Sequence, residues 1–131
     1  MSKYTTILVD IESVFATPSW TTYSISAYPS NYMVPAQKTE FVKIEVLPLT
    51  GDIDYNRSGI FGKVIIQIYV KANQGTKRLM EIADSLDNIL QNKHLGTGTR
   101  TRESSLSVLG IDRDNPDLFR GDYSVDFNYF N

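Results

Sequence analysis

The sequence predicts an α+β fold: a single mostly antiparallel sheet with two helices packed on one face. Three observations carry this. Two stretches repeat apolar residues at helical spacing, several others alternate apolar and polar residues with period two, and the order of these stretches is α-β-β-β-α-β-β. The 131 residues suit one domain spanning 1–131. A chain of this size buries about two thirds of its unfolded surface, so no metal or disulfide staple is required.

Tyr4, Ile7, Leu8, Ile11, Val14 and Phe15 fall at helical spacing, with Asp10 and Glu12 on the polar side. They predict an amphipathic helix over residues 3–16. The "TPSW" stretch stops it, because proline disfavours helix in the residue before it. "TTYSISAYP" sets Tyr23, Ile25 and Ala27 against Thr22, Ser24 and Ser26, a half-buried strand ended by Pro29. "SNYMVPAQK" reads as a loop. "TEFVKIEVLP" alternates again, and Pro48 closes it. "LTGDIDYNRSGIFG" reads as a long polar connection of mixed charge. The third strand, Lys63 to Lys71, is the most apolar and therefore central, with Val64, Ile66, Ile68 and Val70 on one side.

A Gly-centred turn leads to the second helix, where Leu79, Ile82, Ala83, Leu86, Ile89 and Leu90 form the apolar stripe. Glu81, Asp84, Asp87 and Asn88 fill its solvent side. "HLGTGTRTRESS" reads as a flexible break, "SLSVLGI" as a short strand and "DRDNPDLFRGD" as a turn. "YSVDFNYF" is a final alternating strand with Tyr123, Val125, Phe127 and Tyr129 on one side.

Thirteen basic and fifteen acidic residues nearly cancel, which argues against a general nucleic-acid binder. The absence of cysteine excludes thiol catalysis, disulfides and Cys-based zinc sites. "MSKYTTILVD" lacks the continuous apolar core of a signal peptide, and no run approaches the ~20 apolar residues of a membrane span. The expectation is a protein made in a cytoplasm, with no membrane partner.

"VIIQIYVKANQGTKR" has the strand, glycine turn and helix layout of phosphate-binding enzymes. A Walker A loop needs G-x-x-x-x-G-K-[ST], so that consecutive backbone N–H groups wrap phosphates. Here Gly75 stands alone before Thr76 and Lys77. It reads as a plain turn, with Thr76 or Asn73 capping the helix. His94 is the single histidine and falls near the end of the second helix, a structural or surface position. "GDIDYNR" and "DRDNPD" begin like calcium loops. The first lacks the sixth-position glycine and has Lys63 in place of the twelfth-position glutamate; the second has Pro116 where an oxygen ligand belongs. Both read as solvated turns. Lys93, Arg100 and Arg102 form a basic cluster around "GTGT", either a surface for phosphates or an acidic partner, or a solvated loop. No catalytic, metal or cofactor constellation emerges. Tyr28, Tyr32, Tyr55 and Phe61 fall in expected loops, where exposed aromatics often anchor protein–protein contacts; the alternative is that some of them simply fill the core.

The chain resembles the tail terminator (tail completion) proteins of long-tailed bacteriophages. "VPAQKTEFVKIEVLP" looks like that family's proline-containing approach to a strand ending near a "vlp" element. "RSGIFGKVIIQIYVKANQGTKRLMEIADSLDNIL" looks like its strand, glycine turn and helix, and "GDYSVDFNYF" like its final strand. The resemblance implies a non-enzymatic virion protein at the head–tail junction, assembled in the host cytoplasm. Family members form a hexameric ring that caps the tail tube, stops its polymerisation and presents a surface to the head connector. Implied partners are other copies of the chain, the tail tube protein and the head completion protein, with DNA only passing through the lumen. A near-neutral composition suits a channel that must not grip DNA. A ring needs two different patches per subunit. Loops 29–40, 49–62 and 95–104 are the expected suppliers, with Asp52, Asp54, Tyr55, Arg57, Phe61, Arg100 and Arg102 as candidate assembly contacts. The alternatives are a head-side connector or neck protein of similar fold, and a small-ligand or nucleotide-binding domain using the Gly75 turn.

Overall fold

The computed structural model describes residues 3–35, 37–54, 57–96 and 98–130, of which 49–54, 57–59 and 130 are described as backbone. In chain order the elements are α1 (Lys3–Ser13), a 3₁₀ turn (Val14–Ala16), α2 (Pro18–Thr21), β1 (Ser26–Pro29), β2 (Phe41–Asp54), β3 (Arg57–Lys71), α3 (Lys77–Leu90), β4 (His94–Leu95), β5 (Thr99–Ile111) and β6 (Leu118–Phe130). The strands form one sheet in the order β1-β2-β3-β6-β5-β4. β1 runs parallel to β2, and the other pairs are antiparallel. This is the predicted α+β class, with β3 inside the sheet.

Alternation decides which face turns inward. Val64, Ile66 and Ile68 of β3 are fully buried, and their cross-strand partners Val125 and Tyr123 on β6 are almost fully so. The α3 stripe predicted from spacing lies on that face: Leu79, Ile82, Leu86 and Leu90 have no exposed surface. Ile7 and Ile11 of α1 complete the layer, and α2 packs Trp20 into the same core. Trp20 meets Phe15 and Tyr23 edge-on at 5.1 and 5.7 Å, and its indole N–H donates to the Ile25 carbonyl at 3.1 Å. That partner is what lets a polar ring edge sit in a dry core. On the opposite sheet face Phe41, Tyr69 and Leu118 form a small second cluster.

Several boundaries differ from the sequence reading. The first helix ends at Ser13, and Pro18 opens α2 instead of only ending its predecessor. Proline has no N–H to lose in a first turn, so it suits that position. The first strand is shorter than predicted: Ser24 adopts a left-handed φ of 58°, and pairing starts at Ser26. The expected polar connection 49–62 is instead the extension of β2 and β3 into a hairpin, paired from Thr50–Phe61 to Asp54–Arg57 with repeated register shifts. The expected flexible break at 95–104 holds β4 and the start of β5, and β6 begins at Leu118, earlier than the predicted Tyr123. His94 lies beyond α3, on β4, paired with Arg100.

Candidate assembly surface

The candidate residues come from two distant segments, and the pairing pattern brings them to one end of the sheet. Thr50 pairs with Phe61, Phe61 with Asn128, Asn128 with Arg100, and Arg100 with His94. Strands lie about 4.8 Å apart, so Phe61 and Arg100, two strands apart, are separated by roughly 10 Å. Paired residues share a face. Ile60, Tyr129 and Thr99 occupy the neighbouring row and are buried toward the helices, so Phe61 and Arg100 turn to the opposite face.

The β2–β3 hairpin carries Asp52, opposite Ser58, and Asp54, opposite Arg57. Tyr55 lies outside the described residues. Phe61 is half-buried at the base of the hairpin. The sheet row through Gly59 ends at Phe130 of β6, so the hairpin beyond Gly59 projects past the strand beside it. Arg57, Asp52 and Asp54 therefore sit on an arm, not in the long loop that the sequence suggested.

The second segment is held firmly. Thr101 is buried beneath α3, its hydroxyl donating to the Leu90 carbonyl and accepting from the Lys93 N–H at 2.8 Å. Asn92 and Gly96, at φ 53° and 60°, make the turns on either side of β4. Lys93, Arg100 and Arg102 are thereby presented at the surface as a group. The Arg102 Nε–H donates to the buried Asn128 Oδ1 at 3.2 Å, which fixes the guanidinium near the sheet. The Asp10 carboxylate of α1 accepts from the Thr99 hydroxyl at 2.8 Å and lies where a Gly96 side chain would be.

Two features escaped the sequence reading. Val108, Leu109 and Ile111 of β5 are 42, 56 and 50% exposed, whereas "SLSVLGI" looked like an ordinary short strand. The signal was the adjacent pair Val108–Leu109, which breaks the alternation of a half-buried strand. On the face away from the helices, Tyr28 stacks on Tyr32 at 5.4 Å and meets Phe41 edge-on, while Phe41 stacks on Tyr69 at 4.7 Å. The Arg120 guanidinium stands 5.8 Å from the Tyr69 ring centre and pairs with Asp122 at 3.1 Å. Burial pushes the Tyr69 hydroxyl above its ordinary pKa. Tyr28 thus packs on the second cluster from β1, while Tyr32 stacks on it and stays 53% exposed.

The nucleotide alternative has little to work with. Asn73 and Gly75, at φ 65° and 78°, turn the chain into α3, and the Thr76 side chain makes no capping bond. A cleft of about 540 Å³ lies elsewhere, between α1, α2 and β1, lined by Phe15, Trp20, Ile25 and Ile44 with Glu12 as its one charged group. Among the described residues no group of three or more His, Cys, Asp or Glu could hold a metal ion. Among the described residues no helix is long and apolar enough to cross a membrane.

The fold class is thus an α+β domain with one curled sheet edge-exposed at both ends. No family model and no curated protein matches the chain. Solved structures do share its fold. One, which carries no functional description, has a TM-score of 0.62 at 13% identity, over 90% of this chain and 85% of that one. Another belongs to the virion of a native gene transfer agent particle, with a TM-score of 0.61 at 13% identity, over 93% of this chain and 92% of that one.

Proposed function

We propose that the chain is a structural protein of a phage-type virion and acts as a tail terminator. In this reading, copies close into a hexameric ring on the finished tail tube, stop its growth and offer the joining surface to the head connector. The observation that carries it is a fold shared end to end with a chain from a gene transfer agent virion. The resemblance of "VPAQKTEFVKIEVLP" and the strand–turn–helix segment to tail terminators supports the finer assignment. An assembly role for this surface is supported by Asp52, Asp54 and Arg57 on the hairpin arm lying at the same end of the sheet as Arg100 and Arg102.

The test is complementation of a phage lacking this gene. Arg57→Glu and the Tyr55→Ala, Phe61→Ala double variant are expected to give tails of abnormal length or tails that fail to join heads, with folding checked by circular dichroism. Normal tails from both would remove the hairpin from the assembly surface. Tails of normal length and normal joining in the absence of the gene would remove the function itself.

A further inference from the structure

The two ends of the sheet are stepped in a matching way. β1 covers β2 from Phe41 to Ile44 only. Beyond that, the outer edge of β2 has no strand partner among the described residues. At the other end, β4 covers β5 at Thr99 and Arg100, and backbone bonds from Thr101 N–H to Lys93 (2.9 Å) and from Asn92 N–H to Arg102 (3.1 Å) extend the cover slightly. Ser105 to Ile111 then has β6 on one side and no backbone partner on the other among the described residues. The row through Ile44 therefore runs from β1 to β5, and the row through Thr50 runs from β2 to β4. Each edge steps by one strand, in the same sense.

Exposed strand edges are normally blunted by proline or charge. Pro29 and Pro48 do this at the β1–β2 end, since neither can donate to an added strand. The β5 end has no such protection from Ser104 to Ile111: no proline, no charge, and three exposed aliphatic side chains. The ends also differ in charge. Residues 44–56 contain Glu45, Asp52 and Asp54 with no Lys or Arg, whereas residues 91–102 contain Lys93, Arg100 and Arg102 with no Asp or Glu. Asp52 and Asp54 lie just beyond the Thr50 row and Arg100 lies on the row of Thr50 and His94, whereas Glu45 is level with Ser105.

We propose that copies of this chain join through these opposite sheet edges. β1 of one copy lies antiparallel along Ser105–Ile111 of the next, and the acidic outer edge of β2 lies beside β4 and the basic group around it. The matching steps of the two edges, with Asp52 and Asp54 near one and Lys93, Arg100 and Arg102 near the other, select a second copy as the occupant. The contact joins two different patches, so it propagates head to tail and closes only if the rotation allows. It deepens the terminator reading, on which the closure into a ring rests. The two prolines limit the ladder, so electrostatic attraction carries much of the contact and salt weakens it.

The cysteine-free chain permits a direct test. Thr50→Cys with His94→Cys, oxidised at low salt, is expected to give a ladder of disulfide-linked multimers. One strand spacing, about 4.8 Å, falls inside the ~4.4–6.8 Å Cα separation that a disulfide accepts. Neither single variant gives a ladder, and ~1 M salt shortens it. A charge exchange needs no oxidation. Arg100→Glu with Arg102→Glu, and Asp52→Lys with Asp54→Lys, each fail to associate alone and recover association when mixed. Folded variants that give no ladder and no recovery overturn the edge contact. So do covalent dimers from Ser107→Cys alone, which report two-fold pairing of β5 with itself. Negative-stain imaging separates this proposal from the reading beneath it. Rings without a ladder sink the edge contact and leave the terminator, whereas a ladder of open filaments with unaltered tail lengths keeps the contact and sinks the terminator.

Discussion

Leu86 has no exposed surface and sits between α3 and the sheet. Leu86→Ala is expected to cost about 2–5 kcal/mol in denaturant melts, the sum of lost transfer energy and the cavity left behind. A cost below about 1 kcal/mol would mean that the helix does not pack as described. Its neighbour Asp87 behaves differently from the solvent-side residue that helical spacing suggests: it accepts hydrogen bonds at 2.6 Å from both the Tyr123 and Ser104 hydroxyls. No local pattern reveals this, because the partners arrive from strands far along the chain. Burial, then the bond to Asp87, raises the Tyr123 pKa well above its ordinary value of 10.0. The folded state thus holds this proton more tightly than the unfolded state does. Its contribution is complete below about pH 10 and is lost as pH rises from there toward the folded-state pKa. Thermal melts should show stability falling above about pH 10, with a shallower fall in Tyr123→Phe. An equal slope in both proteins would exclude Tyr123 as a source.

Among elements, the stripe of α3 and the alternation of β3 and β6 were legible because each has one dry face; of the stripe expected on the first helix, Ile7, Ile11 and Phe15 are buried while Tyr4 and Leu8 are exposed. The β2–β3 hairpin was not: its outer part runs past the last described pairing with β6, and residues 49–62 show no sustained apolar–polar alternation that would mark a strand. The docking of α1 on the β4–β5 turn was also hidden. Gly96 has a left-handed φ of 60°, and a side chain there would occupy the place of the Asp10 carboxylate. Gly96→Ala should destabilise by roughly 1–3 kcal/mol, combining backbone strain with that clash. Adding Asp10→Ala should recover the steric part only, so the double variant should be less stable than Asp10→Ala alone by about the strain. Full additivity in urea melts would refute the clash. His94→Ala, at an exposed position on β4, should leave the fold unchanged in urea melts and association unchanged in sedimentation, because the proposed contact uses the β4 backbone and the neighbouring Arg100 and Arg102 rather than the imidazole.

For the whole molecule, the order of elements and the single-sheet class could be read from period and punctuation, but the strand order could not. β3 finds β6, not the strand that follows it nearest, because α3 must cross the face before the sheet can continue. That rearrangement is what gathers Arg100 and Arg102 to the same end as Asp52 and Asp54, residues the sequence lists in separate loops. Alone in solution, the protein is expected to sediment as a monomer or a weak associate. Under the proposed terminator role, contacts too weak to hold a pair would suffice on a tail tip, where a template raises their effective concentration. A stable ring at micromolar concentration, resistant to ~1 M salt and formed without tubes, would contradict the weak, charge-assisted contact described above.

The pairing of β3 with β6 also sets the tempo of folding. Gly59 meets Phe130 and Lys71 meets Leu118, so the middle of the sheet closes only after nearly the whole described chain has been made. The β2–β3 hairpin can form early from local contacts, but the apolar row Val64, Ile66 and Ile68 then waits for a partner. Loop closure of that span is an entropic debt owed before any native burial offsets it, which places the chain among slower folders dominated by distant contacts. While it waits, the nascent hairpin is the stretch most exposed to wrong pairing, and substitutions along β6 should slow refolding more than equally destabilising ones within α1.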